Sequence, residues 1–161
     1  MNILVYLLIG IGIVFFTNAS YAFTYLNAEY SYEFNLPDEY PIAYTENEMG
    51  GINTSLMALD VNIVSKAGDI PNSQSEAQYL WDRQGFVFDF TNIGRELGNN
   101  RFGNDYFLVT GTNGKIAHYW LLIVNDGRYA EIYITYPLKN TQRVKPILQK
   151  IENSFNLATR L

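Results

Sequence analysis

The chain has 161 residues and no cysteine, with 11 Lys and Arg against 16 Asp and Glu, a formal net charge of −5. The missing cysteines exclude a disulfide framework, a thiolate metal site, a Cys nucleophile and lipid attachment at a lipobox Cys. The acidity, with a pI near 4.8, argues against nucleic acid and anionic lipid surfaces, because binding either begins with neutralising phosphate by Lys and Arg.

Ile3 to Phe16 read ILVYLLIGIGIVFF, an apolar run of h-region length and shorter than a bilayer span. Thr17 and Asn18 interrupt it, and Ser20-Tyr21-Ala22 puts small side chains at the two positions a signal peptidase reads. No Lys or Arg precedes the run, so the amino terminus alone supplies the n-region charge. The pattern predicts a signal peptide over residues 1–22, cleaved after Ala22, with an uncleaved membrane anchor as the alternative. Either way the rest, residues 23–161, is expected as one exported domain, periplasmic or secreted after cleavage. It carries every charged residue, and no repeat, linker or low-complexity tract divides it.

Tyr30, Tyr32, Phe34 and Leu36 alternate with polar residues up to Pro37, the period of a strand buried on one face. Met57, Leu59, Val61 and Ile63 repeat that pattern before a break at Gly68 to Pro71. Ser73-Gln74-Ser75-Glu76 matches a capping box, and Ala77, Leu80, Trp81 and Gln84 lie at helical spacing before Gly85, which predicts a helix of about three turns. Phe86 to Phe90, FVFDF, reads as a strand on aromatic and β-branched bias. Three strands follow as a meander: Tyr106 to Thr110, Ile116 to Val124 and Tyr129 to Tyr136. They are separated by Gly111-Thr112-Asn113-Gly114 and Asn125-Asp126-Gly127-Arg128, clusters that supply the positive φ angles of tight hairpins. The middle strand is apolar on both faces and needs cover on both. Val144, Ile147, Leu148, Ile151 and Phe155 form one helical stripe that offers such cover, with Pro146 limiting where that helix can begin. The expected fold is therefore α+β, an antiparallel meander with helices packed on it.

This order of elements resembles the PsbP-like α/β/α sandwich superfamily, which includes the photosystem II extrinsic protein and many small exported bacterial proteins. The residues that carry the resemblance are Phe34-Asn35-Leu36-Pro37, Ile134-Thr135-Tyr136-Pro137 and Ile151-Glu152-Asn153-Ser154-Phe155, spanning about Glu29 to Leu157. It implies a non-enzymatic accessory or binding domain. No metal, chloride or photosystem-contact residue of that superfamily carries over to this sequence.

Candidate chemistry is sparse. His118 is the only histidine; a base needs an orienting acid and a nucleophile, and no G-x-S-x-G elbow supplies one, so a packed histidine with one satisfied nitrogen is expected. Asp38, Glu39, Glu46 and Glu48, or Asn125-Asp126, offer oxygens without the spacing of a calcium loop, and read as solvated. Gly114-Lys115 leads into another strand, which excludes a phosphate loop. Trp81 and Trp120 both fall on apolar stripes and read as core. No metal or cofactor is expected. Thirteen Tyr and ten Phe are an excess. Tyr25, Tyr30, Tyr32, Tyr40 and Tyr44 crowd behind the signal, where tyrosine offers rigid area with a polar tip. The leading expectation is a non-catalytic domain that recognises a protein partner through these tyrosines. The alternatives are an acidic inhibitor or immunity-type protein for a secreted enzyme, presenting Asp38, Glu39, Glu46 and Glu48 on one loop, and a hydrolase using His118.

Overall fold

A computed structural model of the protein describes residues 23–40 and 42–160, and the expected signal segment lies outside them. Ten strands and two helices follow in the order β1 (Phe23–Asn27), β2 (Tyr32–Leu36), β3 (Ala43–Asn47), β4 (Gly51–Leu56), β5 (Val61–Asp69), α1 (Glu76–Arg83), β6 (Thr91–Asn99), β7 (Asp105–Asn113), β8 (Ile116–Asn125), β9 (Arg128–Pro137), α2 (Thr141–Ser154) and β10 (Asn156–Leu157). A seven-stranded sheet has the order β3-β4-β5-β9-β8-β7-β6, and a small sheet has the order β1-β2-β10. Every pairing is antiparallel.

The two faces of β8 sort the core. Ala117, Tyr119, Leu121 and Ile123 join Val144, Ile147 and Ile151 from α2, Phe155 just past its end, and Tyr32, Phe34 and Leu36 from β2 in the larger cluster. Trp120, Leu122 and Val124 face the other way, into a smaller cluster with Tyr79 and Leu80 of α1, Val87, Phe107 and Val109. The doubly apolar strand thus receives cover on both faces, as its composition requires. One layer is α2 with the small sheet, and the other is the two-turn α1.

The β8–β9 hairpin closes on Asp126 and Gly127, with φ of 54° and 70°, the pair of left-handed residues that a two-residue hairpin matched to strand twist demands. Gly51 answers a different need: a Cβ there would lie 2.1 Å from the Ser65 carbonyl oxygen. The β4 and β5 backbones can come this close only because the residue lacks a side chain.

Several local expectations are corrected. Met57–Leu59 form a 3-10 turn ended by Asp60 at φ 53°, so the strand begins at Val61 and runs on to Asp69. Tyr30 belongs to the turn before β2, where Ser31 has φ 58°. The cap of α1 is Ser75, which accepts from the Gln78 N–H at 3.2 Å, so the Ser73–Glu76 box does not form. Phe86 to Phe90 is irregular chain with no ladder partner; Val87 alone of it is buried. Pro146 lies inside α2 rather than in its first turn, on the exposed side.

Candidate functional site

The α1 layer is short and leaves part of its sheet face open. The open part is a cleft of about 650 Å³ bounded by Val64 and Lys66 of β5, Glu131 and Tyr133 of β9, Trp120 of β8, Arg83 at the end of α1, and Phe86 and Phe90 of the following loop. Register explains the assembly: Lys66 pairs with Glu131, Val64 with Tyr133, and Trp120 with Tyr133 across three adjacent strands, so alternate residues reach the same face.

Glu131 organises the floor and is 3 % exposed. It accepts from Arg83 Nη2 through both oxygens, at 3.1 and 2.9 Å, and from the Trp120 indole N–H at 2.9 Å. Lys66 Nζ stands 3.7 Å away. The Arg83 guanidinium carbon lies 5.8, 5.3 and 5.4 Å from the ring centres of Tyr79, Phe86 and Trp120, an aromatic surround that suits a weakly hydrated cation. Burial opposes its charge, but the field and hydrogen bonds of Glu131 outweigh that and raise its proton affinity.

His118 lies beside this cleft on the same face. Its Nδ1 shares a hydrogen bond of 2.5 Å with the Tyr133 hydroxyl, its ring stacks on Phe90 at 4.2 Å, and its Nε2 is buried without a hydrogen-bond partner among the described residues. No Ser, Asp or Glu is hydrogen-bonded to the ring among them, so the pairing a hydrolase would need is not assembled. Burial lowers the imidazole below its ordinary 6.5. The unfolded chain therefore takes up this proton at a higher pH than the folded one, and stability falls as pH drops below about 6.5. Thermal unfolding of His118→Phe, which keeps the stacking, should track wild type at pH 7 and lose less melting temperature between pH 6.5 and 5. Parallel curves would refute this.

The tyrosine cluster resolves differently from the expectation. Tyr32 is fully buried, with its hydroxyl 2.9 Å from the Gly50 carbonyl and 3.0 Å from Ser65 Oγ, and Tyr25 is 7 % exposed. Tyr30 and Tyr40 pack partly buried against the same cluster, and only Tyr44 remains largely exposed. These side chains form an aromatic core beneath β1 to β3, because half-buried strands favour rings for packing; they are not a surface. Asp38 and Glu39 precede β3 whereas Glu46 and Glu48 stand at its far end, so they do not share a loop. Asp38 also pairs with Lys150 at 3.6 Å. Trp120 is core as expected, but Trp81 is 68 % exposed, since α1 turns Tyr79, Leu80 and Arg83 inward instead.

Trp81 belongs to an aromatic surface that periodicity did not reveal. Phe86 and Phe88 are 61 and 87 % exposed, and Ile93 and Leu97 of β6 are also exposed. Arg95 and Leu97 project to the α1 side of the sheet, since they pair with Val109 and Phe107 of the smaller core cluster, whereas Ile93 lies in the irregular stretch between Thr91 and Gly94. Trp81 and Arg95 line one depression. All nine residues of β6 are exposed, and β6 is an edge strand.

The elements and their layers define a small α+β domain whose fold is similar to that of PsbP. Cyanobacterial PsbP (CyanoP) from Synechocystis sp. PCC 6803 superposes with a TM-score of 0.66 over 92 % of this chain and 96 % of its own, at 17 % identity. The Saccharomyces cerevisiae Ran-binding protein Mog1p gives a TM-score of 0.53 over 88 % of this chain and 97 % of its own, at 11 % identity. A Pseudomonas aeruginosa protein of unknown function, described as a putative regulator, gives 0.51 over 87 and 98 %, at 12 % identity. No family model and no curated protein matches the sequence. At these identities the likeness establishes the fold alone. No helix among the described residues is long and apolar enough to cross a membrane.

Proposed function

We propose that this protein is an exported, non-catalytic binding domain that docks a protein partner on the α1 side of its large sheet. The observation that carries the reading is the exposed group Trp81, Phe86, Phe88 and Leu97, with Trp81 sharing a depression with Arg95 of the edge strand β6. Exposed aromatics in one place are the usual anchors of an interface. The outer edge of β6 offers unpaired N–H and C=O groups to an extended segment. The partner this surface suits therefore presents a strand-forming stretch with alternate apolar side chains. Protein binding is a use to which a fold of this kind is put, since one of the neighbours is a Ran-binding protein. Export rests on the apolar run and the Ser20-Tyr21-Ala22 site.

A photo-cross-linking amino acid at position 88, in cells that make the protein, should trap one protein in stoichiometric yield. The same probe at Met57, which is 82 % exposed on the turn between β4 and β5, should not. No adduct, or the same adducts at both positions, would overturn the reading.

A further inference from the structure

We propose that the cleft floored by Glu131 is a second site, meeting the docking surface at Phe86, that binds a small amphipathic anion: a flat apolar body against Trp120, Phe86 and Phe90, with one acidic group at Lys66. Volume and lining fit such a ligand, because small-molecule sites run from about 300 to 1,000 Å³ and combine apolar walls with a few fixed polar groups; this one has about 650 Å³. Its walls also include Val64, Met49 and Tyr133.

Charge decides the sign of the ligand. Lys66, Arg83 and Glu131 are the charged groups of the lining, leaving one net positive charge in a protein whose overall charge is −5. Arg83 and the Trp120 N–H take up Glu131 at hydrogen-bonding distance. Lys66 forms only the longer ion pair to Glu131, at 3.7 Å with its side chain 35 % exposed, and an ammonium that shares its carboxylate with Arg83 and the Trp120 N–H is better satisfied by an added anion than by a neutral guest. The aromatic walls supply the affinity and Lys66 the selection.

The probes are 1-anilinonaphthalene-8-sulfonate and N-phenyl-1-naphthylamine, which share one ring system and differ by the sulfonate. Fluorescence titration of the domain should give one site for the anionic dye, bound at least fivefold more tightly than the neutral one. Binding governed by apolar contact alone predicts the reverse, since the neutral dye is the more hydrophobic. Lys66→Met, which keeps the stem and removes the charge, should weaken the anionic dye about five- to tenfold and shift the neutral dye less than twofold. Lys66→Arg should restore most of the loss. Phe88→Ser, on the partner-docking surface outside the cleft, should change neither. Equal affinities for the two dyes in the wild-type protein would overturn the proposal, as would an anionic-dye site lost in Phe88→Ser and kept in Lys66→Met. The docking reading stands or falls separately, on the adducts at position 88.

Discussion

Replacing Phe155 by Ala should cost about 3–5 kcal/mol of unfolding free energy, the range for deleting a fully buried ring. Phe155 has no exposed surface, and its ring meets Tyr32 and Phe34 edge-on, at 6.3 and 6.2 Å with interplanar angles of 85° and 87°. Each such pair contributes about 0.5–1.5 kcal/mol beyond the area it buries. The residue also ends α2, donating its N–H to the Ile151 carbonyl at 2.9 Å and accepting from Asn100 Nδ2 at 2.9 Å. Truncation therefore opens a cavity where α2, β2 and the loop before β7 meet. Urea unfolding checks it: the midpoint should fall with the slope unchanged. Trp81→Ala, on the exposed surface, should stay within about 0.5 kcal/mol of wild type. A cost below about 1 kcal/mol for Phe155→Ala would mean that the closing I-x-x-S-F segment does not seal the core.

The parts of the fold legible in the sequence are those where one residue's environment is set by near neighbours. The meander from Tyr106 to Tyr136 is legible because its hairpins need particular residues at the turns: Asp126 and Gly127 take the left-handed angles such a turn requires, whereas of the cluster Gly111 to Gly114 only Gly114 does, Gly111 to Asn113 continuing β7 instead. The α2 stripe could be read because Val144, Ile147 and Ile151 recur at helical spacing and are buried. β3 and β4 were not legible: their partners are set by long-range pairing, and GINTSL has no clean alternation. β6 was missed for a related reason. Its nine residues are all exposed and include two glycines, so no apolar period marks it, and its pairing with β7 alone makes it a strand.

The candidate site was legible only in fragments. His118 lies on the face that its place in the β8 alternation predicts, with one nitrogen satisfied. Glu131 carried no signal, being one carboxylate in a strand that otherwise alternates. Its role appears once β5, β8 and α1 bring Lys66, Trp120 and Arg83 to it across sequence separations that no local pattern spans. The tyrosines misled because composition cannot separate an aromatic surface from an aromatic core. The signal for this surface is FVFDF directly after a short helix, a run of aromatic residues with no ladder to join.

Arg83→Met should be the more damaging half of the Arg83–Glu131 pair, at about 2–4 kcal/mol. It removes the principal partner of a carboxylate whose side chain is only 4 % exposed, and breaking such a pair from one side strands a desolvated charge. Lys66, at 3.7 Å, moderates the loss without replacing the bond to both oxygens. Glu131→Leu should cost less, about 1–2 kcal/mol: the Arg83 side chain is 28 % exposed and its charge can turn toward water, so the loss comes mainly from the Trp120 indole N–H left without its acceptor. The double variant removes both charges together, leaving apolar side chains of similar length against Trp120, and should recover at least about 1 kcal/mol relative to the sum of the single changes. Urea unfolding of the four proteins gives the coupling directly. Additive losses would show that the two groups are held by their other neighbours. A coupling above 1 kcal/mol shows that Arg83 is the principal partner of Glu131, with Lys66 holding only the longer ion pair at 3.7 Å.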